Sequence, residues 1–178
     1  PAAPTTDDAL RDLVKAAGDA AGNGGADRVM VFHRTTVDVE ASGLAHIVDR
    51  QLVKCLTEAG AARLARLRFD YDPTSNTAEI RTVRVLRQNG SVETLDAARA
   101  LDLPQPQAAI YWGPRMKLLA VPRLAVGDAL EVESYTKGFL IAYLDELSAG
   151  TGGGTGGKGG GGTGGDDERY IPPMRGHF

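Results

Sequence analysis

Between Ala78 and Leu95 two runs of alternating apolar and polar residues flank Gln88-Asn89-Gly90-Ser91. Alternation with period two puts one set of side chains on a buried sheet face and the other on an open one. Asn-Gly supplies both positive-φ residues of a type I′ turn, whose twist matches paired strands. The segment is therefore predicted to be an antiparallel hairpin, and the rest of the chain has to be read as partners for it.

Those partners are legible on both sides. Arg28 to Glu40 alternates, with Val29, Val31, Val37 and Val39 sharing one parity and Arg34, Asp38 and Glu40 the other. Ser42-Gly43 turns the chain, and Leu44 to Leu56 runs back, its β-branched residues favouring a strand over a helix. Thr57 to Leu67 is rich in alanine and arginine and suits a helical turn or two. Phe69-Asp70-Tyr71 is extended, and Asp72-Pro73 enforces a turn. Asp96 to Gln107 contains Pro104 and Pro106 and reads as a connector. Lys117 to Val121 and Ala129 to Lys137 read as two more strands, joined through a turn whose tight point is Gly127-Asp128. Leu140 to Leu147 continues the sheet or starts a short helix. Ahead of all this, Asp7 to Ala21 reads as one short helix with Leu10, Leu13, Val14 and Ala17 on one face and Thr6 or Asp7 as its cap.

The chain is expected to form one domain, in four pieces: an N-terminal helix and linker over 1–26, a β domain over 27–147, a flexible loop over 148–166 and a tail over 167–178. Eleven of the 23 glycines fall within Thr151 to Gly165, a stretch with no apolar surface to bury and much backbone entropy to lose on ordering. A net charge of -3 with no basic stripe argues against nucleic acid as a partner. No apolar run approaches the roughly 20 residues of a membrane span. The single cysteine, Cys55, excludes an intrachain disulfide and a cysteine-rich zinc site.

Each chemical motif has a plainer reading. Gly152 to Lys158 has the spacing of a phosphate-binding loop, but Gly159 stands where a Ser or Thr must hold magnesium, so a linker is the better account. Pro1 could act as an N-terminal secondary amine, yet nothing around it suggests a pocket. Cys55 with His33 or His46 would need a third, orienting group to make a nucleophile, and is better read as a small core residue. His33, His46 and His177 share no metal-ligand spacing. Tyr111, Trp112 and Tyr135 could line a ligand groove or fill a sheet core, and the core reading is preferred. The expectation is a chain with no catalytic residues, no metal and no cofactor of its own.

Tyr71-Asp72-Pro73, the hairpin through Asn89-Gly90, and Val121-Pro122-Arg123-Leu124-Ala125-Val126-Gly127-Asp128-Ala129-Leu130-Glu131 follow one another in an order that resembles a known family. It is the bacterial domain of unknown function 3857, found upstream of transglutaminase-like domains. The resemblance runs from about Arg28 to Tyr143 and takes in Arg175-Gly176-His177-Phe178, which looks like the start of a further strand. Its most specific piece is the Pro-x-Leu-x-x-Gly-Asp turn with Glu131 after it. The resemblance implies a mostly β, antiparallel β-sandwich, an exported location, and a role beside a catalytic domain rather than in the chemistry. The glycine loop departs from the pattern as an insertion, and strands of the sandwich would be expected after Phe178. The expected function is a non-catalytic interaction or structural module, completed by strands from a neighbouring chain, another copy, or the rest of a precursor. The alternatives are the accessory half of a transglutaminase-like peptidase and a small-ligand or carbohydrate-binding module.

Overall fold

A computed structural model describes residues 6–106 and 113–139. Helix α1 spans Asp7–Ala16, and the strands and second helix follow as β1 (Arg28–Val39), β2 (Leu44–Cys55), α2 (Glu58–Arg63), β3 (Arg66–Tyr71), β4 (Asn76–Leu86), β5 (Val92–Thr94), β6 (Leu101–Pro104), β7 (Arg115–Ala120) and β8 (Ala129–Phe139). They build two antiparallel sheets, one ordered β1-β2-β8-β4-β5 and the other β3-β7-β6. The chain is thus mostly β and sandwich-like with a short N-terminal helix, as its pattern and its resemblance both predict.

Strand β8 is the keystone. It arrives last and pairs along its whole length with β2 on one side and β4 on the other, Gln51 and Val83 flanking Val132 in register. Alternation then sorts its side chains into two layers. Leu130 and Val132 join Val53, Cys55, Val83 and Val85 against Leu67 and Leu119 of the smaller sheet, forming the main core. Ala129 faces the other way and, with Leu52 and Leu86, receives Leu10 of α1. Leu10 is fully buried, which contributes about 2 kcal/mol against leaving it in water. The result is a stack of helix, large sheet and small sheet.

Three local features differ from the sequence reading, each for a physical reason. Helix α1 stops at Ala16 rather than Ala21, because Gly18 turns left-handed at φ +71° and the Asn23 side chain donates to the carbonyls of Ala17 and Asp19. The connector after Asp96 contains a strand, β6, which tolerates Pro104 because it lies at a sheet edge. The Asn89-Gly90 hairpin is not closed by a two-residue turn. The Gly90 amide donates to Arg87 O, so Gln88 and Asn89 take the centre, and Gly90 at φ +86° forms the bulge that lets Arg87 pair with Ser91.

Strand β1 also breaks its own parity. A bulge between Met30 and Phe32 lets Val31 and Phe32 both pack toward Leu10, while Val37 and Val39 lie on the opposite face and remain 38% and 48% exposed. Segments 107–112 and 140–178 lie outside the described residues. So do the predictions made for Tyr111, Trp112, Leu140 to Leu147, the glycine loop, His177 and the tail, together with Pro1.

Candidate functional site

The residues that most resemble a site in the sequence are structural anchors. In the turn before β8, the Asp128 carboxylate is buried and accepts from the Gln88 amide at 3.0 Å, the Ala125 amide at 2.9 Å and Arg87 Nη1 at 2.9 Å. The Gly127 amide donates to Cys55 O and the Cys55 amide to Asp128 O, which carries the β2–β8 ladder one step further. Gly127 sits at φ +92°, and Leu124 fills the core. The Pro-x-Leu-x-x-Gly-Asp turn therefore locks three strands together.

Glu131, three residues further on, is only 1% exposed. Its carboxylate accepts from Arg50 Nε at 2.7 Å on one oxygen and from Arg84 Nε at 2.7 Å on the other, and Arg50 Nη2 joins the first. Arg84 Nη1 continues to Asp7 of α1 at 2.7 Å, so the network ties the helix to the sheet. All of these charges are consumed by one another. Glu131 shares the outer face of β8 with Ala129, the face on which α1 packs.

Two histidine clusters lie further along the large sheet, on opposite faces. On the inner face His33 Nε2 is 2.7 Å from Asp49 Oδ1, and the Thr35 hydroxyl donates to the same oxygen. Burial pushes the Asp49 carboxyl above its usual value, against the opposing pull of His33. On the outer face His46 Nδ1 meets the Tyr135 hydroxyl at 2.6 Å while Nε2 meets Glu40 Oε1 at 2.7 Å. The hydrogen bond from His46 holds Glu40 below the usual carboxylate range. This chain has the connectivity of an acid, a base and a nucleophile. Glu40 is half exposed, however, and Arg81 is stacked 4.0 Å over the Tyr135 ring. Tyr135 is half-buried on the outer face, outside both core clusters of the described residues.

Cys55 makes no dyad. Its thiol is buried, donates to Thr57 O and is pushed up by that burial. His33 pairs with Gln51, about 13 Å along β2 from Cys55, and His46 lies about 30 Å away at the far end of the strand. No group of three or more His, Cys, Asp or Glu side chains is placed to hold a metal among the described residues. None of their helices is long and apolar enough to cross a membrane.

What remains is an edge. The β1–β2 turn fixes the sense of its backbone: the Glu40 amide donates to Leu44 O, so strict alternation points the groups of Thr36 and Asp38 toward β2 and those of His33, Val37 and Val39 outward. Among the described residues β1 pairs with β2 alone. At 12 residues it is far longer than the other edges, β5 with three, β6 with four and β3 with six. Its second half carries no proline, lysine or bulge of the kind that blunts an edge. Beside its first half lies a groove of about 620 Å³ lined by Leu13, Ala16, Asn23, Val29, Met30 and Val31. A smaller concavity of about 270 Å³ lies elsewhere, beside Glu79, Ala97, Asp102 and Lys117.

Fold and surface together define a β-rich module whose buried carboxylates, Asp128 and Glu131, are held by its own residues. The chain belongs to the family described as a domain of unknown function with a solved structure, DUF3857, whose model matches residues 41–156. That range starts in the β1–β2 turn, later than the resemblance placed it, and reaches into the glycine-rich segment without including Arg175 to Phe178. No curated protein matches the chain. A crystal structure of a putative protease from Parabacteroides distasonis shares the fold, with a TM-score of 0.56 at 12% identity. The likeness covers 63% of this chain and only 23% of that one. The CBM3a-L domain from a Clostridium thermocellum scaffoldin matches over 63% of this chain and 68% of its own, with a TM-score of 0.36 at 9% identity.

Proposed function

We propose that the chain is a non-catalytic interaction module that holds a partner by adding a strand to β1. The observation that carries this is the end of the 12-residue edge, where Val37 and Val39 turn their backbone donors and acceptors outward and leave their side chains exposed. Main-chain pairing supplies affinity in such docking, and alternate side chains supply selectivity. The groove beside Met30 offers one place for such a side chain. Satisfied charges elsewhere support a structural rather than a chemical role for the polar residues.

A second reading has its own support. The Parabacteroides distasonis protein carries this fold in about a quarter of its length, which fits a module working beside a larger catalytic unit. In that reading the partner strand belongs to a transglutaminase-like peptidase domain of the same exported protein.

The test is Val39→Pro in the full-length protein. The Val39 amide faces away from β2, so proline removes a donor to the partner and none to the fold. Assembly followed by native mass spectrometry should be lost while far-UV circular dichroism stays unchanged. A variant that assembles as the wild type does would refute strand addition at β1.

A further inference from the structure

The small sheet has an outer face, and it is apolar. Leu67 and Leu119 turn into the main core, so alternation turns Arg66, Arg68, Met116 and Leu118 the other way. Register sets Leu101 opposite Leu118 and Leu103 opposite Met116 on that same outer face. Leu101 is 61% and Leu103 37% exposed, both on a strand of only four residues. Contiguous exposed apolar side chains of this kind mark a surface that something covers. We infer that the cover is the chain's own segment 166–174, tethered to this face by the glycine-rich run that precedes it. The site is separate from the β1 edge and does not depend on it.

Charge selects the occupant. Arg66 on that face and Arg99 in the short turn leading into β6 are both exposed, and neither is in an ion pair with any described residue. The carboxylate that β3 places on the same face, Asp70, is already taken by Arg68 at 2.8 Å. The same face of a second copy would set guanidinium against guanidinium, so the occupant has to bring carboxylates beside apolar side chains. Asp166-Asp167-Glu168, followed by Tyr170-Ile171 and Met174, brings both, with Arg169 as the one cation among them. The carboxylates meet Arg66 and Arg99, and the aromatic and aliphatic side chains lie over Leu101 and Leu103.

The length of the tether fits the distance. Asn76 stands opposite Gly138 and follows Tyr71 through a tight turn, so the chain leaves β8 at the Tyr71 and Arg115 end of the small sheet. Reaching a segment on the far face of that sheet means crossing two layer spacings, about 20 Å. A glycine-rich run as long as Thr151 to Gly165 has a root-mean-square reach of about 20 Å. A tether matched to its span gives the tethered group its highest local concentration. Docking in cis thus gives the glycine run a purpose that its phosphate-loop spacing does not.

A nitroxide attached through Met174→Cys in the full chain tests the proposal by paramagnetic broadening of amide signals, since the native thiol of Cys55 is buried away from the label. The amides of Leu101, Leu103 and Leu118 should broaden, and those of Leu10 and Leu13, in the helix on the far side of the large sheet, should not. Arg66→Glu with Arg99→Glu should reduce the broadening by about fivefold or more, as two attractions become repulsions. Adding Asp166→Arg and Asp167→Arg to that variant should restore it, which also proves that the reversed face is folded. Broadening spread evenly over Leu10 and Leu103, or indifferent to the reversal, overturns the proposal. So does equal broadening when the visible chain lacks the nitroxide and is mixed with a spin-labelled, isotopically silent one, because the occupant then comes from a second copy.

Discussion

Replacing Glu131 by glutamine keeps the shape of the side chain and removes its charge, which tests whether the arginine network is a structural anchor. The carboxylate accepts from two guanidiniums whose side chains are themselves only 14% and 20% exposed. Glu131→Gln leaves both cations near the protein interior with an amide that offers one acceptor and turns a donor toward the other. Removing one partner of a buried ion pair costs about 3–5 kcal/mol. Because Arg84 keeps Asp7 at 2.7 Å and both arginines retain some solvent, the loss should fall near the lower end, about 3 kcal/mol. With a urea slope of about 2 kcal/mol per molar, the midpoint should drop by about 1.5 M. The triple variant Glu131→Leu, Arg50→Met, Arg84→Met should stay within about 1 kcal/mol of the wild type, since burying the pair costs nearly as much as it returns. A loss below about 1 kcal/mol for Glu131→Gln, or a triple variant as damaged as the single one, would refute the assignment.

Three further outcomes follow from the same geometry. Asp128→Ala should cost about 2–4 kcal/mol in chemical denaturation, because it leaves the Gln88 and Ala125 amides without their acceptor and takes one of three partners from Arg87. Gly60→Ala should cost about 3 kcal/mol or prevent folding in the same assay: the new methyl would stand 2.0 Å from Asp27 O, a backbone atom held by the Leu56 and Thr57 amides. Asp49→Asn should raise the urea midpoint at neutral pH. Burial keeps the Asp49 carboxyl above its unfolded value of 3.8, so the folded chain binds more protons in that window and stability falls as pH rises through it. The gain from asparagine should therefore shrink as pH is lowered toward about 4, and a gain that persists there would contradict the assigned cause.

Much of the fold can be read in the residues. Alternation in Arg28 to Glu40, Leu44 to Leu56, Ala78 to Leu95 and Ala129 to Lys137 marks β1, β2, the β4–β5 hairpin and β8, because successive side chains of these strands face different layers. Strand β6 is hidden, since a four-residue edge with every side chain exposed has no alternation to show and ends in a proline. The bulge at Val31 is hidden too, as parity within one strand says nothing about an extra residue that only the partner strand reveals. The motif turn is visible in sequence, but its role is not. Pro122 to Asp128 signals a tight turn, whereas the three donors that fix Asp128 come from the two residues that follow β4 and from the motif itself. The edge of β1 is least legible of all, because strand order depends on long-range pairing that local pattern does not encode.

Amide hydrogen exchange on the full-length protein tests the central claim most directly, because β1 carries its own control. The amides of Thr36 and Asp38 face β2 and should be protected in any folded state. Those of His33, Val37 and Val39 face outward, and strand addition predicts that they are protected as well, with protection lost on dilution or in Val39→Pro. Outward amides that exchange at the rate of an open chain while the inward ones stay protected would show a bare edge and contradict the account.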